Sequence, residues 1–244
     1  MLSIEHLTVA FAPSHVAVAD VSFRVHAGEI AVLLGANGAG KTTTLSCCLD
    51  FVRPTAGVVR VDDTVVAERP LIAKRDIAFV PENVTLYGTL TGRENLCFFA
   101  RLDGHRLTAT AAGDMLARAG LATSAIDRPV RTYSKGMRQK VGIAIALARR
   151  VRHVLLDEPT SGLDPVAARE LLAGLRDLRD DGCAVLLTTH DLPRARDSAD
   201  RVLVMWRGRL LSSWSAEELV RLELESAYLD AIERARRDAE DDAA

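Results

Sequence analysis

The chain has 244 residues, 48% of them hydrophobic, so it can bury a large core and is long for a single domain. Its formal net charge of -2 gives no electrostatic footprint for nucleic acid, and its 4 cysteines show neither Cys-x-x-Cys spacing nor a Cys/His cluster, which argues against disulfide scaffolds and zinc sites. The chain does not open with a basic segment followed by an apolar stretch, and its longest apolar runs fall short of the roughly 18 to 20 residues that a membrane helix needs.

Alternating and continuous apolar runs predict two kinds of strand. Residues 2–25 and 58–67 alternate, which predicts short strands of an antiparallel layer. Continuous apolar runs separated by helical stretches predict the strands of an α/β sheet. These runs are 30–34, 77–80, 154–157, 184–189 and 201–205.

A glycine-rich segment follows the first apolar run directly: residues 35–42 read Gly-Ala-Asn-Gly-Ala-Gly-Lys-Thr. A buried strand that ends in such a turn and opens a helix aims backbone N–H groups and the positive helix end at one point, which suits a polyphosphate. Lys41 supplies a mobile charge for the β- and γ-phosphates, and the Thr42 hydroxyl is placed to ligate Mg²⁺. The predicted nucleotide contacts are Gly35, Ala36, Asn37, Gly38, Ala39, Gly40, Lys41, Thr42 and Thr43.

The middle of the chain, from about 83 to 150, is almost wholly helical in pattern. Helices are predicted over 93–102, 109–119 and 136–150, with Ser134 as the cap of the last one.

Two consecutive carboxylates, Asp157 and Glu158, end the apolar run 154–157. Open parallel sheets bind their ligands at this end of their strands. Asp157 is expected in the Mg²⁺ shell, while Glu158 points elsewhere and can polarise an attacking water as general base. The alternative is that the two acids cap the following loop.

The C-terminal part begins after Trp206. Residues 207–209 predict a tight turn into a last short strand, and 216–240 predict one charged amphipathic helix. Its apolar positions, which could pack on the core or on a partner, are Leu219, Leu222, Leu229 and Ile232. The tail 236–244 is expected to be solvated and frayed.

Further motifs decide between classes of nucleotide-binding protein. The Asn-Lys-x-Asp stretch with which GTPases read guanine does not occur. Residues 133–139 read Tyr-Ser-Lys-Gly-Met-Arg-Gln, residues 161–164 read Ser-Gly-Leu-Asp, and His190 follows the apolar run 184–189. In the order of these motifs the chain resembles the ATP-binding-cassette (ABC) ATPases over essentially residues 1–215, with 216–244 as an additional helix and charged tail.

The resemblance implies a P-loop NTPase core of the ABC type, with an antiparallel β subdomain and a helical subdomain inserted at about 83–150. It also implies ATP and Mg²⁺ as cofactors. Residues 133–137 look like the family signature, whose phosphate-binding positions correspond to Ser134 and Gly136 and contact the ATP of a second subunit. Asp164 resembles the D-loop acid that crosses the dimer interface, and His190 resembles the switch histidine beside the γ-phosphate.

Three departures from the family pattern are evident. The signature has Lys135 where Gly is usual and Met137 where Gln is usual. Glu82 stands where the family has the Q-loop glutamine, so it adds negative charge near the triphosphate, although a carboxylate can still take a place near Mg²⁺. Phe11 would be the ring that stacks on adenine, with a register shift around Pro13; its alternative is a core aromatic.

The resemblance finally implies partners. A second ATPase subunit, as a homodimer, and a separate integral membrane permease are expected, with no nucleic acid, at the cytoplasmic face of the cell membrane. Residues 81–83, 86–87, 90–96 and 133–139 are similar to ABC-2-type exporter ATPases and to the ATPase of the copper-processing transporter that matures nitrous oxide reductase. A non-transport ABC ATPase and a regulatory module without turnover are the alternatives, and Glu158 and His190 argue against the latter.

Overall fold

The computed structural model describes residues 1–12 and 14–241. The register shift expected at Pro13 and the end of the tail, 242–244, lie outside the described residues. Within them the strands are β1 (Leu2–Ala12), β2 (His15–Val25), β3 (Glu29–Leu34), β4 (Ala56–Val61), β5 (Thr64–Val65), β6 (Ile77–Val80), β7 (His153–Leu156), β8 (Ala184–Thr189), β9 (Arg201–Trp206) and β10 (Arg209–Ser215).

These strands form two sheets in the described part of the chain. The first is antiparallel, with the order β2-β1-β4-β5. The second has the order β10-β9-β3-β8-β7-β6, and it is parallel except for the antiparallel edge strand β10. The predicted α/β class and the separate antiparallel layer are therefore confirmed. The carboxyl ends of β3, β6, β7 and β8 meet along one edge, which positions the site described below.

The helices of the described residues are α1 (Lys41–Cys48), α2 (Pro70–Ala73), α3 (Gly92–Leu102), α4 (Ala109–Arg118), α5 (Lys135–Arg149), α6 (Pro165–Asp180), α7 (Leu192–Ser198), α8 (Ala216–Arg221) and α9 (Leu224–Asp241). Short 3₁₀ turns cover Lys74–Asp76, Thr123–Ala125 and Val130–Thr132. The three helices predicted between 93 and 150 are present as α3, α4 and α5. Each begins at a hydroxyl cap, from Thr91, Thr108 and Ser134 respectively.

The main sheet carries hydrophobic residues on both faces, because helices or strands cover each side. Ala31 and Leu33 face the antiparallel sheet, with α1 packed between the two sheets. Ile30 and Val32 face α5, α6 and the other helices on the opposite side. Burial raises the pKa of Cys47, on α1, to about 11, so this thiol stays protonated as a small core residue.

The C-terminal segment differs from the prediction of one helix over 216–240. A capping box of Ser215 and Glu218 starts α8, and extended backbone at Leu222 ends it before α9 begins. This bend lets both Leu219 and Leu224 enter the core. Of the predicted apolar positions, Leu219 and Ile232 are buried in the core, whereas Leu229 is exposed and remains available to a partner.

The tail expected to fray from residue 236 instead continues α9 as far as Asp241. No helix among the described residues combines the length and the apolar character needed to cross a membrane.

Candidate active site

The glycine-rich segment forms a tight loop between β3 and α1, and two of its glycines are required by close contacts. A Cβ on Gly35 would lie 2.2 Å from the carbonyl oxygen of Met205, and one on Gly40 would lie 2.5 Å from that of Ala17. Gly40 also has φ of 104° and precedes α1 without any side-chain cap. The first N–H groups of α1 therefore remain available for an anionic ligand.

A pocket of about 480 Å³ lies over this loop. Its lining joins the loop to the ends of β6 and β7 and to the hairpin between β1 and β2. The lining residues are Phe11, His15, Val16, Ala17, Asn37, Gly38, Ala39, Gly40, Lys41, Thr42, Thr43, Glu82, Asp157, Glu158 and Arg207. Of the predicted loop contacts, only Gly35 and Ala36 stand outside this lining.

Lys41 is buried at the base of the pocket. Its Nζ donates hydrogen bonds to the carbonyl oxygens of Gly35, at 2.6 Å, and Ala36, at 3.2 Å. The same ammonium lies 3.2 Å from Oε1 of Glu158. The loop thus holds a fixed positive charge where the phosphates of a nucleotide would approach.

Asp157 is held by two hydroxyl groups. The Thr42 Oγ1 donates to its Oδ2 at 3.0 Å, and the Thr188 Oγ1 donates to its Oδ1 at 2.6 Å. A hydroxyl and a carboxylate at this separation are the hard oxygen donors that Mg²⁺ takes when nucleotide phosphates and water complete its shell. No group of three or more His, Cys, Asp or Glu that could hold a metal occurs among the described residues, so the residues fit a shared Mg²⁺ rather than an all-protein cage.

The Glu158 side chain has partners different from those of the Asp157 carboxylate, as predicted, although both acids lie beyond the end of β7, so strand alternation is not the cause. Its Oε2 lies 3.0 Å from Nδ1 of His190. Its Oε1 is buried beside Lys41 without accepting a hydrogen bond from it. The residue has φ of 44°, and its backbone N–H donates to the Thr188 Oγ1 at 2.9 Å. The side chain is 13% exposed and lines the pocket, so its carboxylate can accept a proton from a water held there.

The acid at the Q-loop position contacts the signature segment. Oε1 of Glu82 lies 3.1 Å from Nζ of Lys135. The hydrogen bond from Lys135 holds the pKa of the Glu82 carboxyl below its usual value. Gln139, on the next turn of α5, donates from Nε2 to the carbonyl oxygens of Pro81, at 3.1 Å, and Glu82, at 2.6 Å.

The signature and D-loop residues cap helices of their own chain. The Ser134 Oγ accepts the N–H of Met137 at 3.3 Å. Oδ1 of Asp164 accepts the N–H groups of Val166 and Ala167, both at 2.9 Å. Residues 134–137 do not line the pocket over the glycine-rich loop, and neither does Asp164.

Phe11 lies at the mouth of the pocket and is 58% exposed, so the alternative of a core aromatic is wrong. Its ring stacks against His15, with centroids 5.9 Å apart and planes inclined by 25°. The sequence interpretation missed two pocket residues, His15 at the start of β2 and Arg207 in the turn between β9 and β10, because no motif marks either position.

Thr188 was also missed, although it contacts both acids. The available signal was a hydroxyl near the end of the apolar strand β8, which pairs with β7. A buried hydroxyl there needs a hydrogen-bond partner, and the acids that follow β7 are the nearest candidates. Arg194 was missed as well: it donates to the carbonyl oxygens of Thr160 and Leu163 and so ties α7, just after His190, to the segment before Asp164.

Comparisons with known proteins agree with this geometry. The family model described as ABC transporter matches residues 18–161. The uncharacterized ABC transporter ATP-binding protein YxlF of Bacillus subtilis (strain 168) is 39% identical over 219 residues, which cover 89% of this chain and 71% of YxlF. The linearmycin resistance ATP-binding protein LnrL of the same organism is 32% identical over 221 residues, covering 90% of this chain and 70% of LnrL.

Among solved structures, the dimeric post-hydrolysis state of the ATP-binding cassette MJ0796, bound to ADP and Pi, superposes with a TM-score of 0.78 at 25% identity. The match covers 88% of this chain and 99% of that one. A pocket that joins a glycine-rich loop, a basic side chain and two strand-end acids is the site expected of such a cassette. The chain belongs to the ABC transporter family and is one of its ATP-binding, ATP-hydrolysing subunits.

Proposed function

We propose that the chain works as a homodimer in which the loop 35–43 of one copy holds ATP and residues 134–137 of the other copy cover it. One observation carries this proposal. The pocket over the loop contains the groups needed for a triphosphate and its metal, but residues 134–137 are not part of its lining. A second copy supplies the missing side of the site.

Within each half of the site, Lys41 and the free N–H groups of α1 bind the phosphates. Thr42 and Asp157 hold Mg²⁺. Glu82 lines the same pocket, so its charge can influence the metal. When bound, the metal offsets the negative charge of the β- and γ-phosphates. Phe11 stacks on adenine, and its exposed ring is positioned by the stacking contact with His15.

Glu158 is the general base, and its contacts explain how it is held for that role. Lys41 contacts Oε1 of the carboxylate and His190 contacts Oε2, so the orientation of the carboxylate is fixed before any nucleotide binds. The phosphates attract the ammonium of Lys41 and leave Glu158 free to accept the proton of the attacking water. His190, whose side chain is 51% exposed, reaches the γ-phosphate and this water from the other side.

In the dimer, Ser134 and Gly136 contact the γ-phosphate bound by the other copy, flanked by Lys135 and Met137. The positive end of α5 then points at that phosphate. Asp164 crosses the interface next to them. The Ser134 hydroxyl keeps its own helix capped in this arrangement, because a hydroxyl can accept one hydrogen bond while it donates another.

The dimer drives a separate membrane permease, most simply of the ABC-2 exporter type, at the cytoplasmic face of the cell membrane. The name of the relative LnrL, a resistance ATP-binding protein, supports an export role. The helical region contributes a contact surface: the rings of Tyr87, Phe98 and Phe99 cluster there, with the Tyr87 and Phe98 centroids 4.8 Å apart. Leu102 follows one turn after Phe98 on the same face and is 68% exposed.

The domain boundaries form part of the proposal. Residues 1–215 make the ATPase domain, 83–150 its helical subdomain, and 216–244 a C-terminal addition. The capping box at Ser215 supports a boundary at this residue.

ATP-dependent dimerisation tests the paired site. With ATP, the Glu158→Gln variant should shift from the 26.4 kDa monomer to a dimer of twice that mass in size-exclusion chromatography with light scattering. The wild-type ATPase rate should depend sigmoidally on ATP concentration. A strict monomer that hydrolyses ATP with hyperbolic kinetics refutes the proposal. Co-expression with a neighbouring gene product that has several hydrophobic spans tests the transport role, and failure of the two to co-purify from membranes counts against it.

A further inference from the structure

Two residues that depart from the family pattern contact each other. Glu82 and Lys135 are 53 residues apart in the chain, yet Oε1 of the one lies 3.1 Å from Nζ of the other. Their side chains are 44% and 31% exposed respectively, so the pair is partly shielded from water. Glu82 lines the nucleotide pocket, whereas Lys135 does not.

We propose that Lys135 is a positioning residue for ATP hydrolysis within its own copy: it neutralises and orients the Glu82 carboxylate at the edge of the nucleotide pocket. The two departures from the family pattern thus form one compensated pair in place of an uncharged glutamine. This inference rests on the proposed function for the identity of the ligand, a triphosphate.

The surroundings hold the pair in place. Gln139 is fully buried and donates two hydrogen bonds to the backbone around Glu82, which fixes this loop to α5. A Cβ on Gly162 would lie 3.9 Å from Cδ and Nζ of Lys135, so the lysine stem runs beside the loop before Asp164. The Q-loop, the signature helix and the D-loop therefore meet at this ion pair.

Helix stability does not explain why a lysine stands at position 135. It is the first residue of α5, where the positive end of the helix disfavours a cation. A nearby carboxylate offsets this cost. The lowered pKa of Glu82, which the hydrogen bond from Lys135 causes first and one from Ser161 supports, fits a carboxylate that remains charged in the pair.

The pair matters because of what enters the pocket. A bare carboxylate at the pocket edge repels a triphosphate. Near a protein surface, one unpaired charge beside the ligand weakens the binding affinity on the order of tenfold. A lysine in contact with the carboxylate cancels most of this field. The competing interpretation places Lys135 against the phosphates of the partner copy, where it would act independently of Glu82.

A double-mutant cycle on the full chain separates the two interpretations. Lys135→Met keeps the length of the stem and removes the charge. We expect kcat/KM for ATP to fall on the order of tenfold, mainly through a higher KM, because Glu82 is left bare. Glu82→Gln should raise kcat/KM up to a few-fold. The double variant should recover to near the level of Glu82→Gln alone.

Arg131→Met is the matched control, since Arg131 is exposed and makes no ion pair with any residue that the structure describes. It removes a positive charge four residues before Lys135 and should leave kcat/KM unchanged. Circular dichroism melts of all variants report on folding. Because the pair is partly exposed, we expect only small changes in the melting temperature.

Two results overturn the inference. One is wild-type kinetics for Lys135→Met. The other is a loss that Glu82→Gln does not repair, as the competing interpretation requires. The same assays report separately on the proposed function: hyperbolic kinetics and a monomeric Glu158→Gln variant refute the paired site but leave the cycle within one copy interpretable. A failed cycle with sigmoidal kinetics refutes only the role of Lys135.

Discussion

Thr188 offers a sharp test of how the two acids are held, because one buried hydroxyl serves both. Its Oγ1 donates to Oδ1 of Asp157 at 2.6 Å and accepts the backbone N–H of Glu158 at 2.9 Å. Thr188 itself is fully buried in β8. Valine has nearly the same shape and an equally good strand propensity, so Thr188→Val removes these two hydrogen bonds and little else.

The magnitude follows from the two groups that lose a partner. An unsatisfied N–H and a weakened hydrogen bond to a charged carboxylate together cost about 2 to 4 kcal/mol of unfolding free energy. For a chain of this length, at about 2 to 4 °C per kcal/mol, the melting temperature should fall by about 4 to 16 °C. Loss of a partner that orients the carboxylate proposed to hold Mg²⁺ should also lower turnover by about tenfold to a hundredfold.

Differential scanning calorimetry and a coupled ATPase assay over a Mg²⁺ titration measure both effects. Thr44→Val is the matched control for stability, because Thr44 is also fully buried and its hydroxyl donates to the carbonyl oxygen of Gly40. In this variant the same carbonyl oxygen still accepts the backbone N–H of residue 44, at 2.9 Å in the wild type, so no buried group is left without a partner. We expect this variant to lose about 1 kcal/mol or less. Equal melting temperatures for Thr188→Val and the wild type, with an unchanged Mg²⁺ requirement, would refute the reasoning.

Three further outcomes are expected. Glu158→Gln should lower turnover by about a hundredfold to ten-thousandfold while ATP binding stays intact, and hydrolysis within a few-fold of wild type would remove Glu158 from the role of base. Chelation of Mg²⁺ should abolish hydrolysis reversibly without changing the circular dichroism spectrum, because no described cluster of ligands makes the fold depend on a metal. Burial lowers the pKa of His153, so the folded state favours the neutral ring; its contribution to stability is complete above the unfolded value of about 6.5 and is lost as the pH falls through the lower folded value. Melting temperatures should therefore fall as the pH drops below about 6.5, and His153→Gln should reduce this fall; an unchanged slope would contradict the assignment.

The sequence predicted the elements whose signal is local. Apolar runs indicate the parallel strands because both faces of that sheet are covered, and the glycine-rich loop is recognisable because its residues, 35–43, follow one another directly after the first of these runs. The predicted cap at Ser134 also acts over a few residues. Such features depend on neighbours in the chain, so a single sequence contains them.

Features that depend on distant partners were missed or left incomplete. Glu82 and Lys135 were each identified as unusual, but nothing in the sequence joins two residues separated by 53 positions. The bend at Leu222 follows from the burial of Leu224 in the core, which outweighs the helical pattern of 216–240. Tertiary packing decides both cases, and pattern alone does not contain it.

Ser134 combines a local role with a proposed distant one, and one substitution can separate them. Aspartate is as good a helix cap as serine and carries the negative charge that suits the first turn of a helix, so Ser134→Asp should keep the melting temperature or raise it slightly. Ser134→Ala removes the bond to the N–H of Met137 and should cost about 1 kcal/mol.

The order of the two variants should reverse when dimerisation is measured. A carboxylate facing the γ-phosphate of a second copy repels it, whereas alanine only removes one donor. In a Glu158→Gln background, Ser134→Asp should therefore bind ATP as a monomer, while Ser134→Ala should still form some dimer at high ATP concentration. A serine that only caps its own helix would instead let the aspartate variant dimerise normally. That outcome would leave the partner copy without the contact on which the paired site depends.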